Sequence, residues 1–312
     1  MSNQSTVTQF FLLAFSDVQE LQILHFVVFL SIYVATLLGN FLLVLAVAQN
    51  PNLHSPMYFF LVNLSLSDIC YISVTIPKSM AISLTSDTLI SFSGCVIQVF
   101  LSVICGTAEL TFLAVMAFDR YVAICHPLQY TIIMNWSACF QMAAASWIAS
   151  IINAVVQTAN TFRLCFCGSN ITQFFCDIPQ LLALSCTDTT ANMWCILVFA
   201  LTLGSFCFSL ILLSYVFIFS TVLKIRSAQA RYKTFSTCTP HLTVFSLFFS
   251  TVLFSYFRPK SLSSPLVNQL AAVLYTILPP LMNPIIYSLR NKDIQGALQK
   301  MSKKLFGSHL MI

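Results

Sequence analysis

Long apolar runs separated by short polar stretches dominate the chain. A helix needs roughly 20 apolar residues to cross a hydrocarbon core. Seven runs meet that length: Leu24–Ala48, Met57–Met80, Cys95–Cys125, Ala138–Ala159, Asn192–Leu223, Phe235–Phe257 and Leu266–Leu289. The second and seventh carry the weakest signal, because each holds Pro or a charge. Beyond the seventh, "RNKDIQGALQKMSKKLF" sets Ile294, Leu298, Met301 and Leu305 at helical spacing, with Lys on the other face. That pattern predicts a short amphipathic helix on the inner leaflet, the alternative being a disordered basic tail. The expected fold is an all-α membrane protein, a seven-transmembrane helix bundle with a short amphipathic eighth helix. Its expected parts are an extracellular tail (1–23), the bundle (24–289) and a cytoplasmic helix and tail (290–312).

Composition agrees. Hydrophobic residues make up 58% of the chain and charged residues 7%, where soluble domains carry about a quarter. The net charge of +5 comes without a basic run that would suit nucleic acid. Where the charges lie matters more. With the N-terminus outside, ten Lys and Arg fall on the cytoplasmic side and four on the outer side, Lys78, Arg163, Arg258 and Lys260. Cytoplasmic loops favour Lys and Arg, so this orientation is expected, with the protein in the plasma membrane. "MSNQSTVTQFFLLAF" has no basic start and only a short apolar stretch, so the first span is expected to direct its own insertion. Asn3 then becomes a glycosylation site on the correct side, and Asn170 a second. The sequons at Asn63 and Asn135 fall in a span and on the cytoplasmic face. Of the 12 cysteines, Cys165, Cys167, Cys176 and Cys186 crowd into one polar stretch. Outside the cell such a cluster reads as disulfides; a zinc site there would lack His.

Charges inside the spans are costly and therefore informative. Asp119 and Arg120 end the third run in "MAFDRYVAIC". Ser102, Gly106, Glu109, Leu113, Met116 and Arg120 are spaced by four, three, four, three and four, one stripe of a helix that should face the bundle. From Cys95 to Arg120 the helix rises about 37 Å, which sets Arg120 at the cytoplasmic edge. Asp119 can neutralise it there. A snorkelling interfacial pair with no switching role is the simpler account. Asp68 and Glu109 lie mid-span. They read either as a shared sodium or proton site beside Asn40 and Asn283, or as two protonated, hydrogen-bonded acids that lock the core. Pro279, Pro280 and Pro284 each bend the seventh span, at positions that neighbouring helices can relieve.

Several stretches recur together: Gly39-Asn40, "LHSPMYFFLVNLSLSDIC", "MAFDRYVAICHPLQY", "SYVFI", "KTFSTCTPHLTV" and "PPLMNPIIYSLRNKD". In this order and spacing they resemble the olfactory receptor family of rhodopsin-like G-protein-coupled receptors, over nearly the whole chain, with the features of class II. Two departures stand out. The family usually has Ser-His-Leu where this chain has Pro240-His241-Leu242, and Phe-Tyr-Gly where it has Phe248-Phe249-Ser250.

The resemblance implies that Asp119, Arg120, Tyr121, Tyr215, Asn283, Pro284 and Tyr287 serve activation. Arg120 would be released to an olfactory stimulatory heterotrimeric G protein when the sixth helix swings outward, raising cyclic AMP. It implies Cys95–Cys176 and Cys167–Cys186 bridges, with Cys165 left over. It places the odorant among Ser102, Val103, Gly106, Thr107, Phe199, Leu203, Val252, Leu253, Tyr256, Val273 and Thr276. None of these is charged. Such a lining suits small, volatile, weakly polar organics held by dispersion and one or two hydrogen bonds. No cofactor is expected beyond the sodium ion considered above; the partners are ligand, G protein and membrane lipid. A transporter would favour internal repeats, a channel a polar pore, and an enzyme a nucleophile–base set or metal motif. The chain displays none of these. A chemosensory receptor for a non-odorant molecule outside the nose is the alternative.

Overall fold

The computed structural model describes residues 7–16, 18–257 and 265–307. Among these, seven helices are long and apolar enough to span a membrane. They run Gln19–Gln49, Pro56–Thr85, Phe92–Cys125, Trp136–Phe162, Thr190–Leu223, Ala228–Phe257 and Pro265–Arg290. Several overrun the apolar stretch, and polar side chains cap the third and fourth. Ser91 Oγ accepts from Gly94 N at the start of the third, and Asn135 Oδ1 from Ala138 N at the start of the fourth. The second ends where Ser86 turns left-handed at φ 55°. The fifth carries a wide π turn at Ala200–Gly204.

The third span is the hub. It packs on the second, fourth, fifth and sixth, while the seventh closes the ring against the sixth, second and first. The main core gathers Leu64, Phe112, Leu113, Ile211, Val244 and Tyr287 in the inner half, and two smaller clusters fill the outer half. Lipid-side residues such as Leu38, Trp194 and Phe206 stay exposed, as expected where the solvent is hydrocarbon.

Two features add to the sequence reading. The tail is structured. Strand β1 (Gln9–Phe11) pairs antiparallel with β2 (Leu89–Ser91), and the first helix already begins at Gln19. The cause is Phe10, fully buried between the rings of Phe92 and Phe166. The eighth helix (Lys292–Gly307) also turns its apolar face first onto the bundle. Ile294, Ala297 and Met301 are buried in the main core, and Tyr58 Oη bonds Asn291 and Asp293 at its start.

Candidate functional site

At the inner end of the third span, Arg120 Nη2 and Nε lie 3.0 and 3.3 Å from Asp119 Oδ2. The Asp119 side chain is fully buried and that of Arg120 is 18% exposed. Tyr130, in a one-turn helix just beyond the span, donates its hydroxyl to Asp119 Oδ1 at 2.8 Å. Burial, then the neighbouring Asp119, push the Tyr130 phenol up from its ordinary value. Asp119 is thus satisfied on both oxygens, as a buried carboxylate must be. Arg120 borders a cleft about one water in size, lined by Met57, Met116, Thr237, His241 and Tyr287.

A second set of bonds holds the sixth span to this floor. His241 Nε2 lies 2.9 Å from the Leu113 carbonyl on the third span, which can only accept. Nε2 therefore carries the proton, and Nδ1 accepts from Tyr215 Oη of the fifth span at 2.7 Å. One imidazole joins three helices. Tyr287 Oη is buried without a partner beside the same cleft. Tyr121 turns away, with its hydroxyl on His126 Nε2 at 2.9 Å and its ring against Phe217.

In mid-bundle, Asn283 Nδ2 donates to Asp68 Oδ2 at 2.9 Å and approaches Glu109 Oε1 at 3.4 Å. Asn40 donates its amide to the Thr36 and Pro280 carbonyls at 3.0 and 3.1 Å. Among the described residues, no cluster of three or more His, Cys, Asp or Glu could hold a metal. One oxygen of each acid faces the Asn283 amide, while Asn283 Oδ1 and Asn40 Oδ1 are buried without a partner. The arrangement is compatible with both expected readings, a hydrogen-bonded acid pair and an ion site.

The expected ligand region is only partly assembled. A methyl group built on Gly106 would meet no atom within 4 Å, so open space adjoins the middle of the third span. One turn outward, the Ser102 hydroxyl is buried without a partner. Val103, Phe199, Leu203, Val252 and Val273 are half-buried, and Thr276 is fully buried. Leu203 lies within the π turn, which shifts the face that the fifth span presents. One expectation needs correction. Leu253 is 39% exposed, because the sixth helix turns Val244, Phe248 and Thr251 inward and carries Leu253 to the other side. Thr107 is engaged by the fourth span, its Oγ1 accepting from Asn153 Nδ2 at 2.9 Å. The Tyr256 side chain, like all of Asn3, lies outside the described residues.

The outer loop closes over this region. Cys95 is bonded to Cys176 and Cys167 to Cys186, while Cys165 is free and exposed. Gln98 Oε1 accepts from Cys176 N at 2.7 Å, fixing the loop on the third span. Tail and loop are stitched by Phe11 N to the Ser169 carbonyl and Ile171 N to the Phe11 carbonyl, each 2.8 Å. Asn170, between them, stays exposed. Beside Cys176, Asp177 accepts from Ile178 N at 2.9 Å and from Tyr275 Oη of the seventh span at 2.8 Å. Burial pushes its carboxyl up to about 6, against the pull of those two bonds.

The model for "Olfactory receptor" matches residues 29–304. The chain belongs to the olfactory receptor family. It is 50% identical to human Olfactory receptor 14C36 over 99% of each chain. It is 49% identical to human Olfactory receptor 14A16 over 97% of this chain and 98% of that one. Squid rhodopsin shares the fold, with a TM-score of 0.73 over 92% of this chain and 82% of its own, at 17% identity. As an olfactory receptor the chain is a multi-pass membrane protein and a signalling receptor, not an enzyme.

Within this olfactory receptor, Tyr130, Asn153, Asp177, Tyr275 and the tether role of His241 escape a sequence reading. Tyr130 was discoverable: a Tyr eleven residues beyond Asp119 can fold back on it. The Asp177–Tyr275 bond joins positions 98 residues apart, and no local pattern announces it.

Proposed function

We propose that this chain is an odorant receptor that binds small, volatile, weakly polar organics in the outer half of the bundle and activates the olfactory stimulatory G protein, raising cyclic AMP. It would sit in the plasma membrane with its N-terminus outside. Lys and Arg are biased to the opposite side, and the disulfide-bonded loop suits an oxidising exterior. The observation that carries the reading is Arg120, clamped on Asp119 at the edge of a cleft that the sixth span closes. Outward movement of that span would break the His241 tether and open the cleft to a G-protein tail. Ser102, Val103, Gly106, Thr107, Phe199, Leu203, Val252, Val273 and Thr276 remain the proposed ligand contacts.

The test is a panel of volatiles applied to cells that express the chain with the olfactory stimulatory G protein, with cyclic AMP as readout. Arg120→Ala should abolish the response at unchanged surface expression. Normal signalling by that variant would refute the assigned role.

A further inference from the structure

The one acid in the outer loop's buried layer has no cation partner among the described residues. Asp177 is enclosed between the loop, the seventh span and the second span, where Tyr71 neighbours both Asp177 and Thr276. Its two hydrogen-bond donors, Tyr275 Oη and Ile178 N, are neutral. No Lys or Arg among the described residues bridges it; the ion pair they hold is Asp119–Arg120. A desolvated carboxylate with neutral partners only is an expensive arrangement that a cation would relieve. Yet Asp177 keeps accessible surface, being half-buried. Enclosed on several sides, it lies at the outer end of the expected ligand region.

Its neighbours tie it to that region. Cys176, next to Asp177, is fixed to Gln98 of the third span. One turn inward from Gln98 comes Ser102, whose hydroxyl has no partner, and one turn further comes Gly106 with open space beside it. Tyr275, which holds Asp177, adjoins Thr276 on the seventh span. The carboxylate thus caps a column that runs from charged, through hydroxyl, to apolar.

We propose that Asp177 is a cation-recognition residue of the ligand site, and that the receptor takes primary aliphatic amines as well as neutral volatiles. The ammonium group pairs with Asp177 beneath the outer loop. The hydrocarbon tail runs inward past Ser102 toward Gly106 and Leu203. The inference rests on the reading of the bundle as an odorant site and extends its ligand class. No charged residue of the third span is needed, because the loop brings the acid.

The experiment compares octylamine with octanol, which match in length and differ in charge. Cells expressing the full-length chain are read for cyclic AMP, with surface receptor counted through an N-terminal tag. Wild type should respond to octylamine at lower concentration than to octanol. Asp177→Asn should raise the half-maximal octylamine concentration about ten- to a hundredfold, the size of a hydrogen bond to a charged group, and leave octanol unchanged. Asp177→Glu, which keeps the carboxylate, should retain most of the octylamine response. If Asp177→Asn fails to reach the surface, wild type decides alone. Lowering the outside pH from about 7.4 to about 5.4 should weaken octylamine and spare octanol, since octylamine stays protonated while Asp177 loses its charge near 6. The groups facing Asp177 are Tyr275, Tyr71 and the loop backbone. His25, whose ring lies tilted against Phe15 at the first span, is the imidazole control, and His25→Gln should leave the profile unchanged. Equal losses for the two ligands, or no advantage of octylamine in wild type, would overturn the proposal. A receptor silent to amines but active on neutral volatiles would refute this inference alone. One silent to the whole volatile panel would refute the odorant reading beneath it.

Discussion

Asn40 of the first span donates its amide to the carbonyl of Pro280 in the seventh, at 3.1 Å. That carbonyl is the one Pro284 leaves unpaired, because a proline has no N–H to offer the residue four places back. Gly39 makes the approach feasible: a methyl group there would lie 3.0 Å from Pro284 Cγ, a contact with a rigid ring. The Gly-Asn pair and the Asn-Pro hinge are therefore one device. Asn40→Leu leaves a buried carbonyl unmet and should cost about 1–3 kcal/mol. Gly39→Val should cost at least as much, by overpacking. Thermal unfolding of purified receptor would show both, and midpoints equal to wild type would mean that the hinge carbonyl is satisfied otherwise.

Tyr130 competes with nothing for Asp119 Oδ1, while Arg120 holds Oδ2. Removing the phenol in Tyr130→Phe leaves the carboxylate half satisfied and loosens its grip on Arg120. A hydrogen bond to a charged group is worth about 1.5–3 kcal/mol, so ligand-free cyclic AMP should rise by about tenfold relative to surface receptor. Unaltered basal signalling would place Tyr130 in loop packing alone.

The His241 tether gives a sharper test, because it has two ends. His241→Phe keeps a ring but strands the Tyr215 hydroxyl, which sits in a buried site. Basal activity should rise and stability fall, by about 1–3 kcal/mol. Adding Tyr215→Phe removes the stranded group as well. The double variant should recover part of the stability while keeping the high basal signal, since the third and sixth spans stay unlinked. Additive losses in the double variant would show that the two residues act independently.

How much of this was legible in sequence depends on the range of each interaction. The seven spans announce themselves, because apolar length is a local property. Ser102, Glu109, Met116 and Arg120 fall on the inward stripe that their spacing implies. The family motifs located the Arg120 clamp. Four features stayed hidden. The β1 strand is three residues long, too short for a pattern, and it forms because Phe10 finds Phe92 and Phe166. Asn40 gives its amide to an orphan carbonyl 240 residues away, a partner that no local pattern names. Leu253 was placed inward by resemblance, and the phase of the sixth helix turned it out. Asp177 carries no local signal, and its enclosure comes from the neighbouring disulfide and from the second and seventh spans.

The last expectation concerns the outer loop and pH, independent of any ligand. The Asp177 carboxyl is pushed up to about 6 in the folded receptor, above the ordinary carboxylate range of the unfolded chain. A folded value above the unfolded one means that the folded state binds the proton more tightly. Ionised Asp177 therefore costs stability. The cost is full above about 6, shrinks as pH falls through that value, and is gone below the ordinary range. Acidification from about 7.5 to about 5 should raise the protection of amides in the short helix Ile178–Ala183, which Asp177 caps, with exchange measured relative to the intrinsic rate at each pH. Asp177→Asn, neutral throughout, should show no such gain. Asp188, exposed and held below its ordinary value by Thr190, has the opposite sign but lies outside this helix. Protection in Ile178–Ala183 that falls on acidification in wild type, or that rises equally in the Asn variant, would mean that another group governs the loop.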